Sequence, residues 1–191
     1  MSDRDARREE ILALASGMFA RSGFHGVSMD ELGAALGVSG PALYRYFPGK
    51  EAILSAMLVD ISERLLAGGR ERALSARGAR ETLESLVEFH VDFALDQPDL
   101  IAVQSRDLDA VPDADRRLVR RLQAQYVDLW VDALQEVHDV TPDRARAGAH
   151  AVFGLINSTP HSARLTRPEM AALLRSMALS ALATTPRPRV Q

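Results

Sequence analysis

The side chains with the most to offer chemically are gathered in one short stretch. Tyr44, Arg45 and Tyr46 are followed at once by Phe47 and, three residues later, by Lys50. The phenols can donate to phosphate oxygens, and the guanidinium can make a paired contact with O6 and N7 of guanine. A lysine opening a helix adds its charge to free backbone N–H groups that suit an anion. Lys50 stands out further because the other 22 of the 23 basic residues are arginine.

Other constellations fail on spacing. Aspartates 107, 109, 113 and 115 lie in a proline-containing stretch that reads as helix caps and solvated charge. No His-x-x-x-His accompanies them, and there is no cysteine, so a metal site is not expected. His90 and Asp92 sit two apart on a helix and face different ways. His138-Asp139 stands without a nucleophile, and neither a GxSxG elbow nor a glycine-rich phosphate loop is present. No enzyme and no cofactor are expected. The 191 residues carry a net charge of −3. Residues 1–50 hold six basic and six acidic side chains, so any contact with nucleic acid must come from placement of charge rather than its total. No apolar run approaches the ~18 residues of a membrane span. The N-terminus leads into no signal-like segment, so a cytoplasmic location is expected.

The elements that would position the Tyr44–Lys50 stretch read as helices. Ile11, Leu12, Ala15, Met18 and Phe19 recur at spacings of three and four over residues 5–21, with Gly23 as a C-terminal cap. Ser28-Met29-Asp30-Glu31 is a capping box opening a short helix that stops at Gly37. Ser39-Gly40-Pro41 opens a second, reaching Phe47-Pro48-Gly49, with proline tolerated in the first turn. A long helix from Lys50 follows, then 80–96, a short one from Pro98 through Gln104, 114–138, one from Thr141-Pro142 to Pro160, and one from the capping box Thr166–Glu169. No strand pattern survives, so the expectation is an all-α chain of about nine helices. Two short helices joined by Gly37-Val38-Ser39 have the size and punctuation of a helix-turn-helix, whose second helix enters the major groove.

Residues 28–53, with Phe19–Ser28 before them, resemble the tetracycline-repressor (TetR) family. The Leu43-Tyr44-Arg45-Tyr46-Phe47 turn followed by Lys50-Glu51, at this distance from a capping box, carries the resemblance. It implies a homodimeric transcriptional regulator, most often a repressor, that binds a palindromic DNA operator and responds to a small-molecule effector. Ser28, Tyr44, Tyr46 and Lys50 match positions that hold phosphates in the family, and Ser39, Gly40, Ala42 and Arg45 match positions near the bases. Gly40 and Ala42 depart from the commonest pattern, in which a lysine or arginine and a threonine or serine stand there. Arg45 is left as the main polar reader, with Ala42 as a partner for a thymine methyl. Arg4, Arg7 and Arg8 would reach phosphates or the minor groove, or form a solvated terminus.

The division implied is a DNA-binding domain over 1–47, an effector-binding and dimerisation domain over 48–185, and a disordered tail over 186–191. Phe89, Phe93, Tyr126, Trp130 and Phe153 recur at helical spacing, which reads first as core and second as the wall of an apolar pocket. His90, Gln104, Asn157 and His161 are the polar groups that would orient a ligand, and Met57 and Ile61 would lie at pocket depth on the lever helix from Lys50. Phe153–His161 is similar to a segment of family members linked to lipid or acyl-CoA metabolism. The helices near 142–160 and 167–184, rich in alanine, leucine, methionine and glycine, would pair two copies into a four-helix bundle. The alternatives are an activator or effector-independent DNA binder, and a helical ligand-binding or scaffold protein with a vestigial helix-turn-helix.

Overall fold

The computed structural model describes residues 3–162 and 164–183. The expected tail over 186–191 lies outside them. The order is α1 (Asp3–Ser22), α2 (Met29–Ala35), α3 (Gly40–Leu43), α4 (Lys50–Ser75), α5 (Ala79–Asp96), α6 (Pro98–Asp107), a 3-10 turn (Leu108–Ala110), α7 (Asp113–His138), α8 (Pro142–Ile156), α9 (Thr159–Ser162) and α10 (Arg167–Ala183). No strand occurs among the described residues. The all-α expectation is met, and the helix beyond the expected nine is the single turn α9.

Local chemistry accounts for the boundaries. The Ser28 hydroxyl accepts from the Glu31 N–H while the Glu31 carboxylate accepts from the Ser28 N–H, completing the capping box. Gly37 adopts φ +69, the left-handed region that glycine enters without strain, and this lets the Val38 N–H reach back to the Gly33 carbonyl at 2.9 Å. α3 is shorter than its sequence suggests. Regular helix ends at Leu43, and Tyr46 and Phe47 both donate to the Leu43 carbonyl in a closing turn. Pro48 disfavours helical backbone at Phe47, so the helix cannot run on. Pro160 has the same effect later: lacking an N–H and crowding the Ile156 carbonyl, it breaks the expected 142–160 helix into α8 and α9.

The chain forms two compact units, one holding the chain up to Ser62 with Asp99–Arg120, the other Glu63–Pro98 with the chain from Arg121 on. In the first, α2 packs on α1 and α3 over Ile11, Phe19, Phe24, Leu32, Leu43, Phe47 and Ile53, all buried. Arg106 on α6 donates to the Phe19 and Ala20 carbonyls at the end of α1 and pairs with the buried Asp107. In the second, α5, α8 and α10 pack together over Leu86, Val91, Val152, Ile156, Leu174 and Ala178.

Replacing Ser28 by alanine removes one partner of the capping box, and loss of such a cap costs about 1 kcal/mol. Urea unfolding of Ser28→Ala should show that loss, while Ser28→Asp, which can still cap, should lie near the wild type. An alanine variant as stable as the wild type would show that the cap contributes nothing.

Candidate nucleic-acid interface

The two short helices meet with their backbones nearly touching. A Cβ built on Gly33 would stand 2.8 Å from the Gly40 nitrogen, and one on Gly40 would stand 2.0 Å from Asp30 Oδ1. Gly40 is therefore buried at the crossing of α2 and α3, and its lack of a side chain lets the helices close. This differs from the base-facing place that the sequence suggests for it. The rest of the segment divides by exposure. Ser39, Arg45 and Tyr44 are exposed, Tyr44 by 55%, while Ala42 and Tyr46 are half-buried. The Ser39 hydroxyl makes no capping bond at the start of α3.

Ser28, Glu31, Tyr44 and Lys50 line a concave face of about 620 Å³ together with His25 and Glu51. Hydrogen bonds from Ser28 hold the exposed Glu31 carboxyl below its ordinary range, and the nearby Lys50 charge adds to the effect. Lys50 itself is more occupied than its sequence position suggests. Its ammonium donates to the Phe24 carbonyl at 3.1 Å and the Val27 carbonyl at 3.0 Å, and stands 4.6 Å from the Phe24 ring centre. Two of its three donors thus fix the loop leading into Ser28. Arg4, Arg7 and Arg8 form neither a free basic arm nor a loose terminus: they donate to the carbonyls of Arg45, Leu36 and Tyr46. Sequence reasoning missed His25, whose place on the concave face depends on a loop with no signal of its own.

In the second unit, His90, Phe93, Tyr126, Trp130 and Phe153 form one aromatic cluster with ring centres 4.8–6.3 Å apart. His90, Tyr126 and Trp130 are buried. The polar contacts form a chain. The Tyr126 hydroxyl donates to His90 Nδ1 at 3.3 Å, and in that tautomer His90 Nε2 donates to Asn157 Oδ1 at 3.1 Å. Burial pushes the imidazole pKa down to about 4, outweighing the Asn157 bond that acts to raise it, so His90 is neutral at pH 7. Burial likewise pushes the Tyr126 phenol up. The backbone of α4 lies against this cluster: a Cβ on Gly69 would stand 2.6 Å from Tyr126 Cε2. Phe89 lies apart from these rings, against Gly68 and beneath the Arg72 guanidinium. Met57 and Ile61, both buried, and the half-buried Gln104 belong to the other compact unit. His161 is exposed on α9.

Residues 11–57 match the family model of bacterial regulatory proteins of the tetR family, and residues 76–182 match that of the tetracyclin repressor-like C-terminal domain. The transcriptional activator FasR of Mycolicibacterium smegmatis is 36% identical over 90 residues, 47% of this chain and 41% of that protein. The transcriptional repressor KstR2 of Rhodococcus jostii is 24% identical over 135 residues, 70% of this chain and 66% of that protein. These matches therefore span less than two thirds of either relative's length. A TetR-family regulator from Bordetella parapertussis superposes with a TM-score of 0.81 at 24% identity, covering 90% of this chain and 93% of that one. AibR, solved with isovaleryl coenzyme A and operator DNA, superposes with a TM-score of 0.76 at 19% identity, covering 90% of this chain and 97% of that one. At these identities the superpositions show a shared fold.

Proposed function

Because the chain belongs to the TetR family of bacterial regulatory proteins, we propose that it is a homodimeric repressor, without enzymatic activity, that binds a palindromic operator and is released by a small, largely apolar effector. The observation that carries this reading is α3 itself. It is held backbone to backbone on α2 within the matched N-terminal domain and leaves Ser39, Tyr44 and Arg45 exposed, Tyr44 lining the concave face. On this reading residues 1–47 read DNA and residues 48–185 bind the effector and dimerise, in the cytoplasm. No helix among the described residues is long and apolar enough to cross a membrane.

The neutral His90–Tyr126–Asn157 chain inside an aromatic wall suits a ligand with an apolar body and an uncharged polar group, such as the acyl part of a lipid-like or acyl-CoA effector. Tyr126 touches α4 at Gly69, which opens a direct route from a ligand in the cluster to the helix that begins at Lys50. The ligand must bind the operator-competent and operator-incompetent states differently to shift them.

Dimerisation is supported by faces of α8 and α10 left without cover. Ala147, His150, Ala151 and Gly154 are exposed along α8. Ala172, Leu173, Ser176, Met177 and Ser180 are exposed along α10, with no acidic or basic side chain among them. Leu173 and Met177 are 44% and 46% exposed. Two copies would bury these stripes in a four-helix bundle.

Selection of genomic DNA fragments by the purified protein tests the reading. Enrichment of one palindromic site is expected, together with a dimer by light scattering at micromolar concentration. No binding at any salt concentration, or a monomer, overturns it. The match to an activator makes raised rather than lowered transcription the second outcome to score at that site.

A further inference from the structure

Three arginines in the first turns of α1 reach the C-terminal ends of both short helices. Arg8 Nη1 donates to the Tyr46 carbonyl, and the same guanidinium lies 4.1 Å over the ring of Phe47. Arg4 Nη2 donates to the Arg45 carbonyl at 3.4 Å. Arg7 Nη2 donates to the Leu36 carbonyl at 3.4 Å while Nη1 pairs with Glu10.

Leu36 is the C-cap of α2, whose carbonyl the helix leaves without an internal partner. The Arg45 and Tyr46 carbonyls belong to the closing turn just past α3, so a cation at either place also meets the negative end of a helix dipole. The need is acute in this domain. α2 has seven residues and α3 four, both well below the length at which a helix holds by itself. The Phe47 ring is buried, so a guanidinium lying on it is tied to the core as well as to the backbone. A charge-assisted bond and a ring stack from one side chain fix both distance and angle at the end of α3.

We propose that Arg8, assisted by Arg4, is a positioning residue that sets how α3 is presented to DNA, and that its charge is not spent on a phosphate. This rests on the reading of α3 as the DNA-reading element. Lysine replaces Arg8 only in part, because a compact ammonium can bond the carbonyl but lacks the planar face that lies on Phe47.

The test uses the full-length chain and two readouts. The first is amide hydrogen exchange at Tyr46 and Phe47, whose N–H groups both bond to the Leu43 carbonyl. Arg8→Ala is expected to speed exchange at these two amides at least tenfold relative to Ile53 in α4. Arg8→Lys should speed it about threefold, which keeps the test alive should the alanine variant fold poorly. Unchanged exchange in both variants overturns the proposal.

The second readout is affinity against salt for a random-sequence 30-base-pair duplex. The slope of log affinity on log salt should match the wild type. A slope smaller by about 0.9 per subunit would make Arg8 a phosphate contact and overturn the proposal. On the duplex recovered by genomic selection, Arg8→Ala should lose about tenfold in affinity while random-duplex affinity stays within twofold. A wild-type chain that binds no duplex overturns the DNA reading, and the exchange result still decides whether Arg8 holds α3.

Discussion

Acidification from pH 7 to pH 4 is expected to remove roughly 3 kcal/mol of unfolding free energy through His90 alone. The folded-state pKa is lowered from the ordinary 6.5 to about 4 because burial disfavours the imidazolium. Above pH 6.5 both states hold neutral imidazole, and His90 contributes no pH dependence. Between 6.5 and 4 the unfolded chain takes up a proton that the folded chain refuses, so unfolding becomes easier as pH falls. Below about 4 both states are protonated and the effect is complete.

Carboxylates complicate the raw profile. Asp96, Glu81 and Glu169 are held below their ordinary range by hydrogen bonds, the first two from Arg167 and Arg77 and the third from Thr166, so they too lose stabilisation in acid. A difference measurement isolates the histidine. His90→Gln cannot titrate, yet its amide can still accept from Tyr126 and donate to Asn157. Urea unfolding at pH 7, 6, 5 and 4 should show the wild type losing about 3 kcal/mol more than His90→Gln over that range. Parallel profiles would mean that His90 keeps an ordinary pKa and that the cluster is open to water.

Arg45→Ala should weaken operator binding by about 1–3 kcal/mol per half-site, roughly 5- to 150-fold, and relax the preference at one base pair in each half. The size follows from how little else on α3 can read a base. Gly40 is buried without a side chain, and Ala42 offers only a methyl group. Arg45 is exposed at the end of α3, where its own backbone carbonyl is held by Arg4. Competition binding with duplexes varied one base pair at a time gives the answer. If Arg45→Ala weakens every sequence equally and lowers the salt slope by about 0.9, Arg45 contacts a phosphate instead.

Much of the first compact unit was legible because its signals are local. The Ser28–Glu31 capping box, the left-handed turn at Gly37 and proline in the first turn of α3 all act within five residues, and the structure contains each of them. The aromatic cluster was legible in part. Helical spacing put Phe93, Tyr126, Trp130 and Phe153 on inward faces, but periodicity alone could not separate them from Phe89, which packs on Gly68 instead. Nor could it tell that Met57, Ile61 and Gln104 belong to the other compact unit.

The sequence by itself determined the helical class, the helix-turn-helix and its family, because caps, turn glycines, prolines and apolar periodicity are set by neighbours along the chain. Tertiary structure alone decided which polar groups are already engaged. Lys50 meets carbonyls 26 and 23 residues away, Arg8 one 38 residues away, and His90 an amide 67 residues away. Partners at such separations are chosen by how helices pack. The residue type at either end carries no record of that choice.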